Sequence, residues 1–324
     1  MLLLGGAAAA AWPLAARAQQ REQKRRVAVL MGGVLSGDAN GQAEAAALND
    51  ALRELGWRQG GNIELTYRWP GAELDAVRAA ASEVAASHPD LVVSRTTPAT
   101  SALMSAGLPT VFVLVADPIR SGFVQNLARP GGNVTGFTNF EASVGGKWLE
   151  LLKEAAPSVS HIALLFNPLT APFAETYLHA VQAAALTLGI AVTPAPSTST
   201  AELESAVAAA AATPGGGIIA IFDTFLAEHR DFLVSLAIRY RLPAIYGSQI
   251  FAPSGGLMAY ASDYPDIFRR AADYVDRILR GARPGDLPVQ EPAKFLLSVN
   301  LKAAAAIGLT LPQSLITRAD EVIE

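Results

Sequence analysis

The chain has 324 residues, 25 Lys and Arg against 29 Asp and Glu, a formal net charge of −4 and no cysteine. That composition excludes disulfides, thiolate metal sites and a cysteine nucleophile. Without a basic stripe it argues against nucleic acid as a partner, and four scattered histidines argue against a histidine metal centre.

The first eighteen residues are an Ala-rich apolar run closed by Ala16-Arg17-Ala18, a small-x-small cleavage pattern. They are expected to be a signal peptide, 1–18. A membrane anchor needs roughly 20 apolar residues, whereas Pro13 breaks this run and Arg17 closes it. The n-region holds only Met1, with no Lys or Arg before the apolar run. The basic cluster at 21–26 then reads as a solvated tail.

From residue 27 onward, strands and helices alternate. Short runs at 27–31, 90–94, 110–115 and 133–137 and an alternating stretch at 63–69 predict five strands. Helices are predicted at 43–55, where Gly56 is placed to end the helix, and at 73–87. The rhythm restarts with a helix at 144–155. Strands follow at 161–166, 190–193, 217–222, 243–246, 256–260 and 294–299. Helices are expected at 173–188, 201–212, 226–240 and 266–280, with a last helix from Leu301. This alternation predicts an α/β chain with parallel sheets and right-handed crossovers. One sheet of about ten strands is near the practical limit, so two sheets of about five are expected, with the change of lobe at 137–143.

In open parallel sheets, ligands bind beyond the carboxyl ends of the strands. The residues at those ends are Ser36, Thr96, Thr97, Asp117, Thr138 and Asn139 in the first half, and Asn167, Asp223, Tyr246 and Tyr260 in the second. Short hydroxyl, amide and carboxylate side chains beside helix N-termini suit a polar small molecule. Thr96-Thr97-Pro98, at a helix start, is arranged to receive a carboxylate. Asp117 or Asp223 is a candidate for an ammonium group, and Tyr246, Tyr260 or Phe222 for an apolar group. Thr97, Asn167 and Asp223 also read as N-caps, and Asp117-Pro118 and Asn167-Pro168 as turn starters.

Enzyme motifs fail on inspection. The glycines at 32, 33 and 37 do not make G-x-G-x-x-G, and neither a Walker loop nor a G-x-S-x-G elbow occurs. Glu175 and His179 lack the second histidine of a zinc helix. No cofactor, no metal and no enzymatic activity are expected. The alternatives are a secreted hydrolase or the ligand-sensing module of a signalling system.

Several strings carry a family resemblance: LARPGGNVTGFT at 127–138, GGKWLELLK at 145–153, FNP at 166–168, RLP at 241–243, GGLM at 255–258, YVDRIL at 274–279 and FLLSVNLK at 295–302. In their order they resemble the ABC-transporter substrate-binding proteins that include tryptophan and other aromatic amino-acid receptors. The resemblance implies a type I periplasmic-binding-protein fold, with two doubly wound Rossmann-like lobes joined by hinge strands. Lobe 1 would be 26–138 plus about 261–284, and lobe 2 would be 139–260 plus about 285–324. The implied function is capture of an amino-acid-like or carboxylate ligand between the lobes and delivery to an ABC permease, by a periplasmic monomer. The leader is similar to the family's twin-arginine signals without the Arg pair, which implies a truncated n-region.

Overall fold

The computed structural model describes residues 24–139, 141 and 144–324. The expected signal peptide at 1–18 lies outside the described residues.

The first sheet is built from β1 (Arg25–Gly32), β2 (Ile63–Gly71), β3 (Leu91–Arg95), β4 (Thr110–Val115) and β5 (Val134–Thr138), in the order β2-β1-β3-β4-β5. All neighbours are parallel. The crossovers carry α1 (Ala39–Glu54), α2 (Leu74–Ala86) and α3 (Thr97–Leu103). Continuous apolar runs such as β4, buried at every residue, fit strands covered on both faces. Asp38 caps α1 by accepting from the amides of Asn40 and Gly41 at 3.0 and 2.9 Å. Gly56, with φ +92°, ends it as expected.

The second sheet has seven strands where about five were expected, in the order β12-β11-β10-β9-β8-β6-β7. In chain order it comprises α4 (Val144–Ala155), β6 (His161–Phe166), α5 (Ala174–Leu188), β7 (Ala191–Pro196), α6 (Thr200–Ala212), β8 (Gly216–Ala220), α7 (Thr224–Glu228), α8 (Arg230–Arg239), β9 (Ala244–Tyr246) and β10 (Met258–Ser262). The chain then forms α9 (Tyr264–Leu279) before β11 (Phe295–Asn300), α10 (Leu301–Ala306), α11 (Gln313–Arg318) and β12 (Glu321–Ile323). The helix expected at 226–240 is divided at His229, and the last helix is divided by Gly308 and Pro312.

Three connections join the lobes. The chain leaves β5 for α4, leaves β10 for α9, and returns before β11. Although α9 follows β10, its apolar face, including Ile267, Phe268, Ala271 and Val275, packs with Val29, Val111 and Leu48 of the first lobe. Residues 287–290 then run along β5, where Gln290 N donates to the Gly136 carbonyl and Thr138 N to the Gln290 carbonyl, at 2.9 and 2.8 Å. This excursion explains the departure from all-parallel pairing: Ser262 leaves the second sheet opposite Phe295, where the chain re-enters, so β10 and β11 run antiparallel. Asp263 and Lys294 join those two connections through a backbone bond at 3.1 Å and an ion pair at 3.0 Å.

Gly136 lies opposite Phe112 on β4. A Cβ there would sit 2.0 Å from the Phe112 carbonyl oxygen. Gly136→Ala is therefore expected to cost about 2 kcal/mol by overpacking. Gly146, on α4, meets only the Ala184 Cβ at 3.4 Å, and its alanine variant should gain about 0.5 kcal/mol. Urea unfolding of the two variants checks the contrast, which fails if both move the same way.

Candidate functional site

The carboxyl ends of both sets of strands face one another, and the two lobes touch. A Cβ on Gly33, after β1, would lie 2.9 Å from Thr224 Cγ2 at the start of α7 and 3.1 Å from Arg95 Nη1. Glycine at this point permits the close approach of the lobes.

Beneath Gly33 lies a buried ion pair. Arg95, the last residue of β3, donates from Nε and Nη2 to the two Glu44 carboxylate oxygens at 2.7 and 3.2 Å, and from Nη1 to the Gly32 carbonyl at 2.8 Å. Arg95 is 3% and Glu44 1% exposed. Burial pushes the Glu44 carboxyl above its ordinary range against the pull of Arg95. Burial also opposes the guanidinium charge, but the facing carboxylate outweighs it and holds Arg95 above its ordinary value.

Thr96 follows, with φ +76°. For a β-branched residue this left-handed conformation costs about 1–3 kcal/mol and persists only where the surroundings impose it. Here Thr96 N donates to the Val113 carbonyl at 2.9 Å, and its own carbonyl accepts from Thr100 N and Thr100 Oγ1 at 3.1 and 2.9 Å. Its side-chain hydroxyl, by contrast, is buried without a partner.

That hydroxyl belongs to a set. Among the described residues, six buried side-chain oxygens have no hydrogen-bond partner: those of Thr96, Asn139, Thr224, Tyr246, Ser248 and Ser262. All six stand at or within four residues of strand carboxyl ends, two in the first lobe and four in the second; Tyr246 turns into the core of the second lobe, which leaves five. Tyr264 lies between them: its hydroxyl donates to the Gly247 carbonyl at 3.3 Å, and the Ser248 and Asn139 side chains come within reach of the phenol oxygen without the geometry of a full hydrogen bond at Ser248 Oγ or Asn139 Oδ1. A buried polar atom without a partner is costly and calls for an explanation. Such atoms stand on both sides of the interlobe boundary.

The other expected residues have varied settings. Thr97 opens α3, is buried, and with Pro98, Leu169 and Pro172 lines a cavity of about 270 Å³ that spans the lobes. Thr138 is buried at the end of β5, and Ser36 is exposed. Asp117 is half-buried and accepts from Arg120 N at 2.9 Å, closing a turn. Asn167 is buried, and its Oδ1 accepts from Leu169 N at 2.8 Å. Asp223 is fully engaged inside the second lobe, accepting from Asn167 N, Thr170 Oγ1 and Leu226 N at 2.7, 2.9 and 3.1 Å. Burial pushes its carboxyl up to about 6 against those donors. The Tyr246 ring stacks on Phe251, centroids 4.4 Å apart, in the core covered by α6, α7 and α8. Burial raises its phenol. Tyr260 is half-buried and stacked on Phe295, with its carbonyl accepting from Trp148 Nε1 at 2.6 Å. Phe222 packs edge-on against Tyr264, 5.7 Å away.

Thr224 and Ser262 lie within two residues of the expected Asp223 and Tyr260, whereas Ser248, Tyr264 and the Glu44–Arg95 pair fall outside the strand-end reading. Ser248 lies two residues beyond β9, so extending the strand-end rule by that distance finds it. Among the described residues no group of three or more His, Cys, Asp or Glu side chains is gathered to hold a metal ion, and no helix is long and apolar enough to cross a membrane.

Comparison with known proteins fits this geometry. A solved structure of a conserved domain protein from Vibrio cholerae aligns with a TM-score of 0.84 at 30% identity, covering 92% of this chain and 99% of that one. An ABC domain from Streptococcus pneumonia, in complex with L-Trp, aligns with a TM-score of 0.84 at 26% identity, over 93% of this chain and 100% of that one. A tyrosine-binding protein from Clostridioides difficile is 23% identical over 270 residues, 80% of this chain and 74% of that protein. Residues 26–323 match the family described as ABC transporter substrate binding protein, and the chain belongs to that family.

Proposed function

We propose that this protein captures an amino acid, with an aromatic one as first candidate, between its lobes and delivers it to an ABC permease after export. The observation that carries the reading is the set of five unpaired buried oxygens at strand ends in both lobes. A zwitterion supplies what they lack: carboxylate oxygens accept from the hydroxyls of Thr96 and Thr224, and an ammonium group donates to Asn139 Oδ1. The names of two relatives, one complexed with L-Trp and one called tyrosine-binding, support this ligand class. A ligand touching both lobes favours the closed arrangement by as much as its affinity for closed exceeds that for open. Asp117, Thr97 and Tyr260 remain candidates at the edge of the same site. Export rests on the leader at 1–18, and the permease on the family.

Isothermal calorimetry against L-Trp, L-Tyr, L-Phe and non-aromatic amino acids tests the ligand class. Thr96→Val keeps the shape and removes the hydroxyl. It should weaken binding about tenfold, the effect of one lost hydrogen bond of about 1.4 kcal/mol. Wild-type affinity in Thr96→Val would take Thr96 out of the site.

A further inference from the structure

Among the described residues, two ion pairs cross from lobe to lobe. Asp38, the cap of α1, faces Arg230 at the start of α8, with Oδ2 and Nη2 3.4 Å apart. Arg120, in the loop after β4, pairs with Glu175 in the first turn of α5. β1 and β4 flank β3 in the first sheet, so the two pairs straddle the strand that ends in Arg95 and leads into Thr96. Their polarity is reversed: the first lobe supplies the acid of one pair and the base of the other. A sideways slip of one lobe would bring Arg120 toward Arg230 or Asp38 toward Glu175, each a like-charge encounter.

We propose that these two pairs form an electrostatic latch that fixes the register of lobe closure and slows ligand release. Asp38 is well placed for this. Its Oδ1 is held by the amides of Asn40 and Gly41, which leaves Oδ2 aimed at the other lobe. Arg230 is itself steadied by Ser254 Oγ and the Ala227 carbonyl, both at 3.3 Å, and has Asp231 at 3.8 Å on its own helix. The side chains are partly solvated, 30% and 10% exposed for Arg230 and Asp38 and 49% and 64% for Arg120 and Glu175. Each pair is therefore worth a few-fold in the closing equilibrium and is screened by salt. Only the ligand arm of the test rests on the proposed amino-acid capture.

The chain has no cysteine, so a donor–acceptor dye pair placed at Ala79→Cys on α2 and Ala209→Cys on α6, both exposed, reads lobe separation directly. The closed fraction of the ligand-free protein should fall as NaCl rises from about 0.05 M to about 1 M. Arg230→Ala should speed dissociation of L-Trp or L-Tyr about threefold, and Arg230→Ala with Glu175→Ala about tenfold, with melting temperatures near that of the wild type. Arg120→Glu alone should lower the closed fraction about fivefold, and adding Glu175→Arg should restore it to within about twofold. A closed fraction indifferent to salt and to these variants, or a charge swap that restores nothing, overturns the latch. A salt response together with no heat from either amino acid leaves the latch standing and removes the ligand class.

Discussion

Replacing Glu44 by alanine is expected to cost about 3–5 kcal/mol, because it strands the Arg95 guanidinium in the protein interior. Three of the five Arg95 N–H groups are accounted for by Glu44 and the Gly32 carbonyl, and water cannot replace the lost carboxylate at a site 3% exposed. Removing both charges is a different matter. Glu44→Leu combined with Arg95→Met exchanges a desolvated pair for apolar contacts and should recover most of the loss, since buried pairs repay their desolvation poorly. A double-mutant cycle by urea unfolding measures this, and single and double variants of equal stability would refute it. The same double variant informs the site. Arg95 precedes Thr96, and its side chain runs beneath Gly33, where the lobes meet. A stable double variant that binds amino acids weakly would show that the pair orients the floor of the cleft as well as holding α1 to β3.

Much of this architecture is legible in the residues. Runs such as Val27 to Met31 and Val111 to Val115 are continuously apolar, have Gly or Pro close to one end and are too short for a buried helix, which favours a buried strand. The division into two lobes follows from counting such runs. The late reversal at β10–β11 is not readable locally, because it depends on α9 packing on the other lobe. Nor is β12, three residues with a charge at one end and little burial. The break at His229 lacks any Gly or Pro to announce it. At the candidate site, the strand-end rule names the loops at the interlobe boundary but not the side-chain direction. β9 reads Ala-Ile-Tyr, apolar throughout, so nothing in it shows that Tyr246 turns into the helix-covered core while Ser248, two residues on, is left without a partner. Glu44 sits 51 residues from Arg95 in an Ala-rich helix, with no local mark of burial. Thr96 and Thr97 stand out in the sequence as a hydroxyl pair before Pro98 at a strand end, a pattern that also suits a helix cap.

Asp223 should make the protein more stable, not less, as pH falls from about 7 to about 4. Its carboxyl rises from 3.8 to about 6 on folding, with burial as the cause. Between those values the folded state holds a proton that the unfolded chain has released. The stability contributed by this group is therefore fully present below the unfolded value and is lost as pH rises through the folded one. Two pH units correspond to about 3 kcal/mol. Most carboxylates in paired positions act in the opposite sense, so the total curve will hide this one, and Asp223→Asn, which cannot titrate, isolates it. The unfolding free energy of the wild type minus that of Asp223→Asn should move by about 3 kcal/mol in favour of the wild type between pH 7 and pH 4. Parallel curves would overturn the assignment. What keeps an ionised carboxylate buried at neutral pH is its work on the second lobe: one oxygen holds the Asn167 loop after β6, and the other holds Thr170 and the first turn of α7. Thr224, whose hydroxyl is unpaired and whose methyl meets the first lobe at Gly33, is the next residue along the chain. Asp223→Asn places an amide N–H against the Asn167 N–H and should loosen that loop, so weaker amino-acid binding at pH 7 is expected to accompany the altered pH curve.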